Sequence, residues 1–74
     1  MAHFLELFGN KIRTIRKAKG LTQDELAKRC GLQNTYIGGI EQGERNISLQ
    51  SVEKLAEGLE VGPFELFKFG DLKV

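Results

Sequence analysis

From Thr22 to Gly43 the chain reads TQDELAKRCGLQNTYIGGIEQG, and its apolar positions fall in two short bursts divided by a glycine. Leu26, Ala27 and Cys30 recur at i, i+1 and i+4, a narrow stripe of helical period that leaves Asp24, Glu25, Lys28 and Arg29 to solvent. The Thr22 hydroxyl is suited to cap this helix, and Glu25, three residues on, to close a capping box, so the helix is predicted to start at Gln23. Gly31 ends it, because glycine enters the left-handed region without a Cβ clash and permits a sharp turn. A second helix then begins at Gln33 or Asn34. Ile37 and Ile40 supply its buried face, Tyr36, Gly38 and Gly39 point elsewhere, and Gly43 closes it. Ala27 falls where the two helices cross most closely, so a larger side chain there would push them apart.

The flanking sequence predicts three more helices. One runs from about Phe4 to Lys19 with Phe8, Ile12 and Ile15 at helical spacing and Gly20 as its stop. After the Gly43–Asn46 loop, Ser48 caps another, in which Leu49, Val52, Leu55, Ala56 and Leu59 form the inward face and Gly58 frays the end. Pro63 is placed to open a short fifth helix, where its missing N–H is no loss, with Glu65 in the favourable first turn. No repeat, low-complexity tract or long linker interrupts this pattern. The expectation is a compact all-α, five-helix fold, one domain over residues 1–74 built around a motif at about 22–43. Such a chain has one small core and gains stability naturally from a dimer contact.

Candidate chemistry is sparse. The apolar runs are too short and too charged for a membrane span, and the start lacks the basic region and apolar stretch of a signal peptide, so a cytoplasmic protein is expected. Cys30, the single cysteine, lies on the apolar stripe and reads as a buried structural thiol. The only histidine, His3, is near the terminus, and no Cys/His/Asp cluster has metal-ligand or triad spacing. Neither an enzyme nor a cofactor or metal is expected.

Charge adds a direction. The net +1 conceals eight Lys/Arg against five Asp/Glu in residues 1–49, and three against five in residues 50–74. Lys11, Arg13, Arg16, Lys17 and Lys19 crowd the first helix, and Arg45 follows the motif, which makes a surface able to meet phosphates. Arg13 and Lys17, beside the entrance to the motif, are the better candidates.

At Gln23, Ala27, Gly31, Ile37, Ile40 and Glu41 the chain resembles the lambda-repressor-like (Cro and Xre type) helix-turn-helix family, whose pattern is Gln-x-x-x-Ala-x-x-x-Gly-x-x-x-x-x-Ile/Val-x-x-Ile/Leu-Glu. The likeness extends over Phe8–Phe67. The segment TYIGGIEQGERNISLQSVEKLAEGLEV with its Pro-Phe-x-x-Phe end is similar to the small controller proteins of restriction-modification operons. The resemblance implies a sequence-specific DNA-binding transcriptional regulator whose second motif helix enters the major groove by its N-terminal residues. Asn34, Thr35 and Tyr36 then become the readers, with Tyr36 alternatively reaching a phosphate. Gly38 and Gly39 carry no side chain to read with, so specificity leans on Arg45 and on DNA shape. Controller proteins place an Arg and an Asn in the following loop, which implies a base or minor-groove contact for Arg45 and a phosphate contact for Asn46. Gln23, Gln33, Ser48 and Ser51 are phosphate candidates, through side chains or helix-start N–H groups. Glu41, at the negative end of its helix, needs a cation nearby, and the resemblance pairs it with Arg16 as a structural ion pair.

One such domain holds few base contacts, so a homodimer on a near-palindromic double-stranded operator is expected. Val61, Phe64, Leu66, Phe67 and Phe69 form the candidate dimer interface within a dimerisation region at about 59–70, and Phe4, Leu5 and Leu7 offer a second contact. Regulation would proceed by occluding the promoter or by recruiting RNA polymerase, according to where the operator lies. An antitoxin or other protein-interaction module is the rival reading, with a prophage repressor as a third.

Overall fold

A computed structural model describes residues 2–69; residue 70, the last of the expected dimerisation region, lies outside them. Four α-helices and one 3-10 turn follow in order: α1 (Ala2–Ala18), α2 (Gln23–Cys30), α3 (Asn34–Glu41), α4 (Leu49–Leu59) and a 3-10 helix over Pro63–Phe67. The expected fifth helix is thus a single tight turn. Pro63 still occupies its start, and Glu65 its first turn, but five residues offer too few i to i+4 bonds for an α-helix to propagate.

The helices end alike. Gly20, Gly31 and Gly43 have φ of 72°, 69° and 75°, and the residue after each sends its N–H back five positions, Leu21 to Arg16, Leu32 to Ala27 and Glu44 to Gly39. The fourth helix ends the same way at Glu60, the one described non-glycine residue with positive φ, followed by Val61 bonding to Ala56. At the front of α2 the capping box is complete: the Glu25 N–H donates to Thr22 Oγ1 at 3.0 Å, and the Thr22 N–H to Glu25 Oε1 at 2.8 Å.

The core joins Phe8 and Ile12 of α1, Leu26, Ala27 and Cys30 of α2, Ile37 and Ile40 of α3, Val52, Leu55, Ala56 and Leu59 of α4, and Leu66. Two glycines let the helices come close enough to seal it. A Cβ on Gly9 would collide with the Ile40 carbonyl of α3, and one on Gly58 with Cys30 Sγ of α2. Cys30 is free and buried, and burial pushes its thiol pKa up, which disfavours the reactive thiolate.

Three expectations are corrected. Gly58 does not fray α4; it is buried inside the helix, where it admits the cysteine. Leu49 does not face inward but is 84% exposed, because the chain enters α4 at the rim of the core and the inward stripe begins only at Val52. Leu66, expected at a dimer surface, is fully buried in this chain's own core.

Urea unfolding checks this reading of α4. Gly58→Ala is expected to lower stability by about 1–3 kcal/mol through overpacking, although alanine is the better helix former. Glu60→Gly is expected to raise it by roughly 0.5–1 kcal/mol by relieving the left-handed conformation. A more stable Gly58→Ala variant would contradict the close α2–α4 approach.

Candidate nucleic-acid interface

Helix α3 buries Ile37, Ile40 and Glu41, so its opposite face and its first turn turn outward. Asn34 and Thr35 are exposed and Tyr36 is half-buried. The N-cap Gln33 makes no side-chain cap bond and the first turn holds no acidic residue, so the Asn34 and Thr35 N–H groups remain available to an anion under the positive end of the helix dipole, while the Tyr36 N–H donates to the Gln33 carbonyl.

The other end of α3 is anchored by charge. Arg16 of α1 meets Glu41 in a bidentate pair, Nε to Oε2 at 2.6 Å and an Nη2 donor to Oε1 at 3.0 Å. A third bond runs from Arg16 Nη1 to the Leu21 carbonyl at 2.7 Å, and Gln23 Nε2 donates to Glu41 Oε1 at 3.0 Å. Donors from α1 and the start of α2 therefore converge on the carboxylate at the end of α3, and Arg16 ties in the turn after α1 through the Leu21 carbonyl. Both residues are buried, with Glu41 and Arg16 each 8% exposed. The hydrogen bonds to Glu41 raise the Arg16 pKa above its ordinary value and outweigh the lowering by burial, so the guanidinium stays charged at every working pH.

Beyond α3, the loop returns across its outward face. The Arg45 guanidinium lies over the Tyr36 ring, 5.6 Å from its centroid. The Tyr36 hydroxyl donates to Ser51 Oγ at 3.3 Å, and Ser48, the N-cap of α4, accepts the Ser51 N–H at 3.1 Å. Gln33, Thr35, Tyr36 and Arg45 together line a shallow surface depression with Gly31 and Leu32.

The expected contact residues divide accordingly. Gln33, Thr35, Tyr36 and Arg45 are brought together, with exposed Ser48 linked to them through Ser51 and Asn34 one step along the helix. Asn34 Nδ2 stands 3.5 Å from Asp24 Oδ1 on α2. Gln23 commits one amide hydrogen to Glu41, leaving the other free. Arg13 and Lys17 are exposed on α1. Asn46 is exposed next to Arg45 in the loop and also lines an apolar depression with Phe4, Ile47, Leu49 and Phe67. Ser51 is corrected: it is buried, its N–H is taken by Ser48, and its hydroxyl is packed between Tyr36 and Ser48. The tyrosine-to-serine link across 15 residues had no local sequence signal.

A second exposed feature is apolar. Leu49, Phe64, Phe67 and Phe4 are all exposed, and two adjoining depressions share Leu49, Val52 and Phe67. Phe67 also packs on Phe8 at 5.2 Å between ring centroids, and Phe69 edge-on to Phe4 at 5.4 Å. Val61 and Phe69 are half-buried against the core. Among the described residues no helix is long and apolar enough to cross a membrane, and no group of His, Cys, Asp and Glu is placed to hold a metal ion.

Known proteins are similar to this chain in sequence and fold. The sequence model of a helix-turn-helix family, HTH_3, matches residues 12–66. Control protein C.BamHI of Bacillus amyloliquefaciens is 47% identical over 64 residues, covering 85% of this chain and 79% of that protein. Control protein C.MunI of a Mycoplasma species is 44% identical over 61 residues, covering 81% and 82%. The crystal structure of the restriction-modification controller protein C.AhdI from Aeromonas hydrophila superposes with a TM-score of 0.84 at 49% identity, covering 85% of this chain and 96% of that one. The chain belongs to this helix-turn-helix family of DNA-binding transcription regulators, which are not enzymes.

Removing one member of a buried pair strands the other, so Glu41→Gln is expected to destabilise the protein by about 3 kcal/mol or more in urea unfolding. The double variant Arg16→Met with Glu41→Leu should lose less than Glu41→Gln does, because no charge is then left unpaired. An unchanged midpoint for Glu41→Gln would count against the pair as the anchor of α3.

Proposed function

We propose that the protein acts as a homodimeric transcriptional regulator in the cytoplasm, reading a near-palindromic operator, that of its own restriction-modification genes. The observation that carries this reading is the outward first turn of α3 lying beside Arg45 on one surface, with no acidic side chain in that turn. The similarity to the C.BamHI and C.AhdI controller proteins supports it.

In this reading Asn34 offers an amide able to pair bidentately with adenine, Thr35 a hydroxyl and a methyl for mixed edges, and Arg45 a fork for guanine edges or a narrow minor groove. Tyr36 adds its ring edge beside them. Gln33, the free amide hydrogen of Gln23, Ser48, Asn46, Arg13 and Lys17 take phosphates and set the register, contributing affinity without sequence information. The net charge of +1 makes non-specific attraction modest, so discrimination rests on the few base contacts and on their duplication by symmetry.

Duplication requires a self-complementary face, and the apolar surface of Leu49, Phe64 and Phe67 supplies it, with Val61 and Phe69 behind. Leu49 and Phe64, each 84% exposed, are large apolar groups that a lone protomer leaves in water. Bound at a promoter, the dimer blocks RNA polymerase or recruits it, according to the position of the operator.

A gel-shift titration with the upstream promoter fragment tests the reading. Wild type is expected to bind it in preference to scrambled DNA, with affinity falling steeply as salt rises, and Arg45→Ala to weaken binding by roughly tenfold or more, the worth of one good base contact. Equal affinity for both fragments would overturn it. Phe64→Glu, on a side chain outside the core, should fold normally and run as a monomer in light scattering at micromolar concentration; a persistent dimer would remove Phe64 from the interface.

A further inference from the structure

Gly39 sits in the middle of α3 with an ordinary helical φ, so nothing in its backbone demands glycine. A glycine there weakens the helix relative to alanine, and a second one, Gly38, adjoins it. What distinguishes the two positions is their neighbours. A Cβ on Gly38 would make ordinary contact with the Gln23 side chain at 3.6 Å. A Cβ on Gly39 would stand 2.8 Å from Arg45 Cγ, 3.0 Å from Nε and 3.5 Å from Cδ, a conflict whose three nearest atoms all belong to one side chain. The space that Gly39 leaves open is therefore filled by Arg45.

We infer that Gly39 is a specificity-determining position: it clears a track across the outward face of α3 along which the Arg45 stem lies, and so delivers the guanidinium to the Tyr36 ring, beside the reading turn. Tyr36 forms the end of the track. Tyr36 is held as a plate by its hydroxyl on Ser51, which is itself tied to the Ser48 cap of α4. The guanidinium rests on that plate, 5.6 Å from the centroid, with Thr35 and Gln33 lining the same depression. Arg45 is exposed and would otherwise sample many rotamers in solution, so a preformed position removes part of the ordering cost when it meets DNA. Any side chain at position 39 displaces it, whereas the flexible arginine can move away and leave the fold intact. Gly39 thus acts through Arg45, and its effect belongs to recognition and not to stability.

This inference rests on the proposed DNA-binding role of Arg45, and Gly39→Ala tests it in two stages. In the free protein, NMR should find the Arg45 side-chain protons shifted upfield by the Tyr36 ring in wild type, and returned toward unstructured values in both Gly39→Ala and Tyr36→Ala. The melting temperature of Gly39→Ala should equal or exceed that of wild type, since alanine favours the helix. In the gel shift, Gly39→Ala should lose roughly tenfold or more in operator affinity, while Gly39→Ala with Arg45→Ala binds no worse than Arg45→Ala alone. An Arg45 shift that survives Gly39→Ala, operator affinity equal to wild type, or losses that add in full in the double variant would each overturn the inference. A wild type that prefers no fragment overturns the proposed function and the specificity role with it, a result told apart from the others because the ring shift is read without DNA.

Discussion

The fold depends on how one carboxylate is satisfied. Glu41 closes α3, where the helix dipole is negative and a second negative charge is unfavourable, and it is almost wholly buried. The bidentate contact from Arg16 and the amide of Gln23 supply three donors, and the third Arg16 bond reaches the turn that leads into α2. Desolvation of both charges offsets most of the attraction between them, so the pair adds little net stability. Its consequence is geometric. A charge that cannot be left unpaired fixes α1, the start of α2 and the end of α3 relative to one another, and thereby the angle at which the first turn of α3 leaves the body. Gly9 complements it by letting α1 approach the last carbonyls of α3.

With one end of α3 held, its other end is free for work. The eight residues of this helix are divided between Ile37, Ile40 and Glu41 inside and a face that carries only Asn34, Thr35, Tyr36 and two glycines outside. Such a helix can read few bases by itself. The loop that follows compensates by folding Arg45 back over it, and the glycine that offers no contact of its own makes the room. Stability and recognition are thus divided between the two faces of one short helix: Ile37, Ile40 and Glu41 are committed to core and ion pairing, and the outward face is left for ligands. The same economy appears at the far side, where the 3-10 turn buries Leu66 while leaving Phe64 and Phe67 in the open.

Much of this was legible because it is encoded locally. The Thr22 box, the Leu26, Ala27 and Cys30 stripe, and the stops at Gly20 and Gly31 each involve residues within one or two turns, and all appear as expected. The Arg16–Glu41 contact spans 25 residues and was recognisable only through family resemblance. What escaped was set by distant packing. Gly58 looks like a helix breaker until Cys30 is placed against it, Leu49 fits the inward period of α4 but lies one turn beyond the rim of the core, and Leu66 shares its pattern with the exposed phenylalanines around it. Ser51 sits in a helix first turn, as a phosphate contact would, yet it is buried and the Tyr36 hydroxyl from another helix bonds to it.

In the proposed function, two copies of this small surface, related by a twofold axis, select DNA sequence. Selection from a randomised duplex library, with the sequences of the retained fraction read out, addresses it without presuming an operator. The expected result is enrichment of an inverted repeat whose half-sites are centred about one helical turn apart, roughly 10 base pairs. Retained DNA with no shared motif, or with a single unrepeated element, would contradict it.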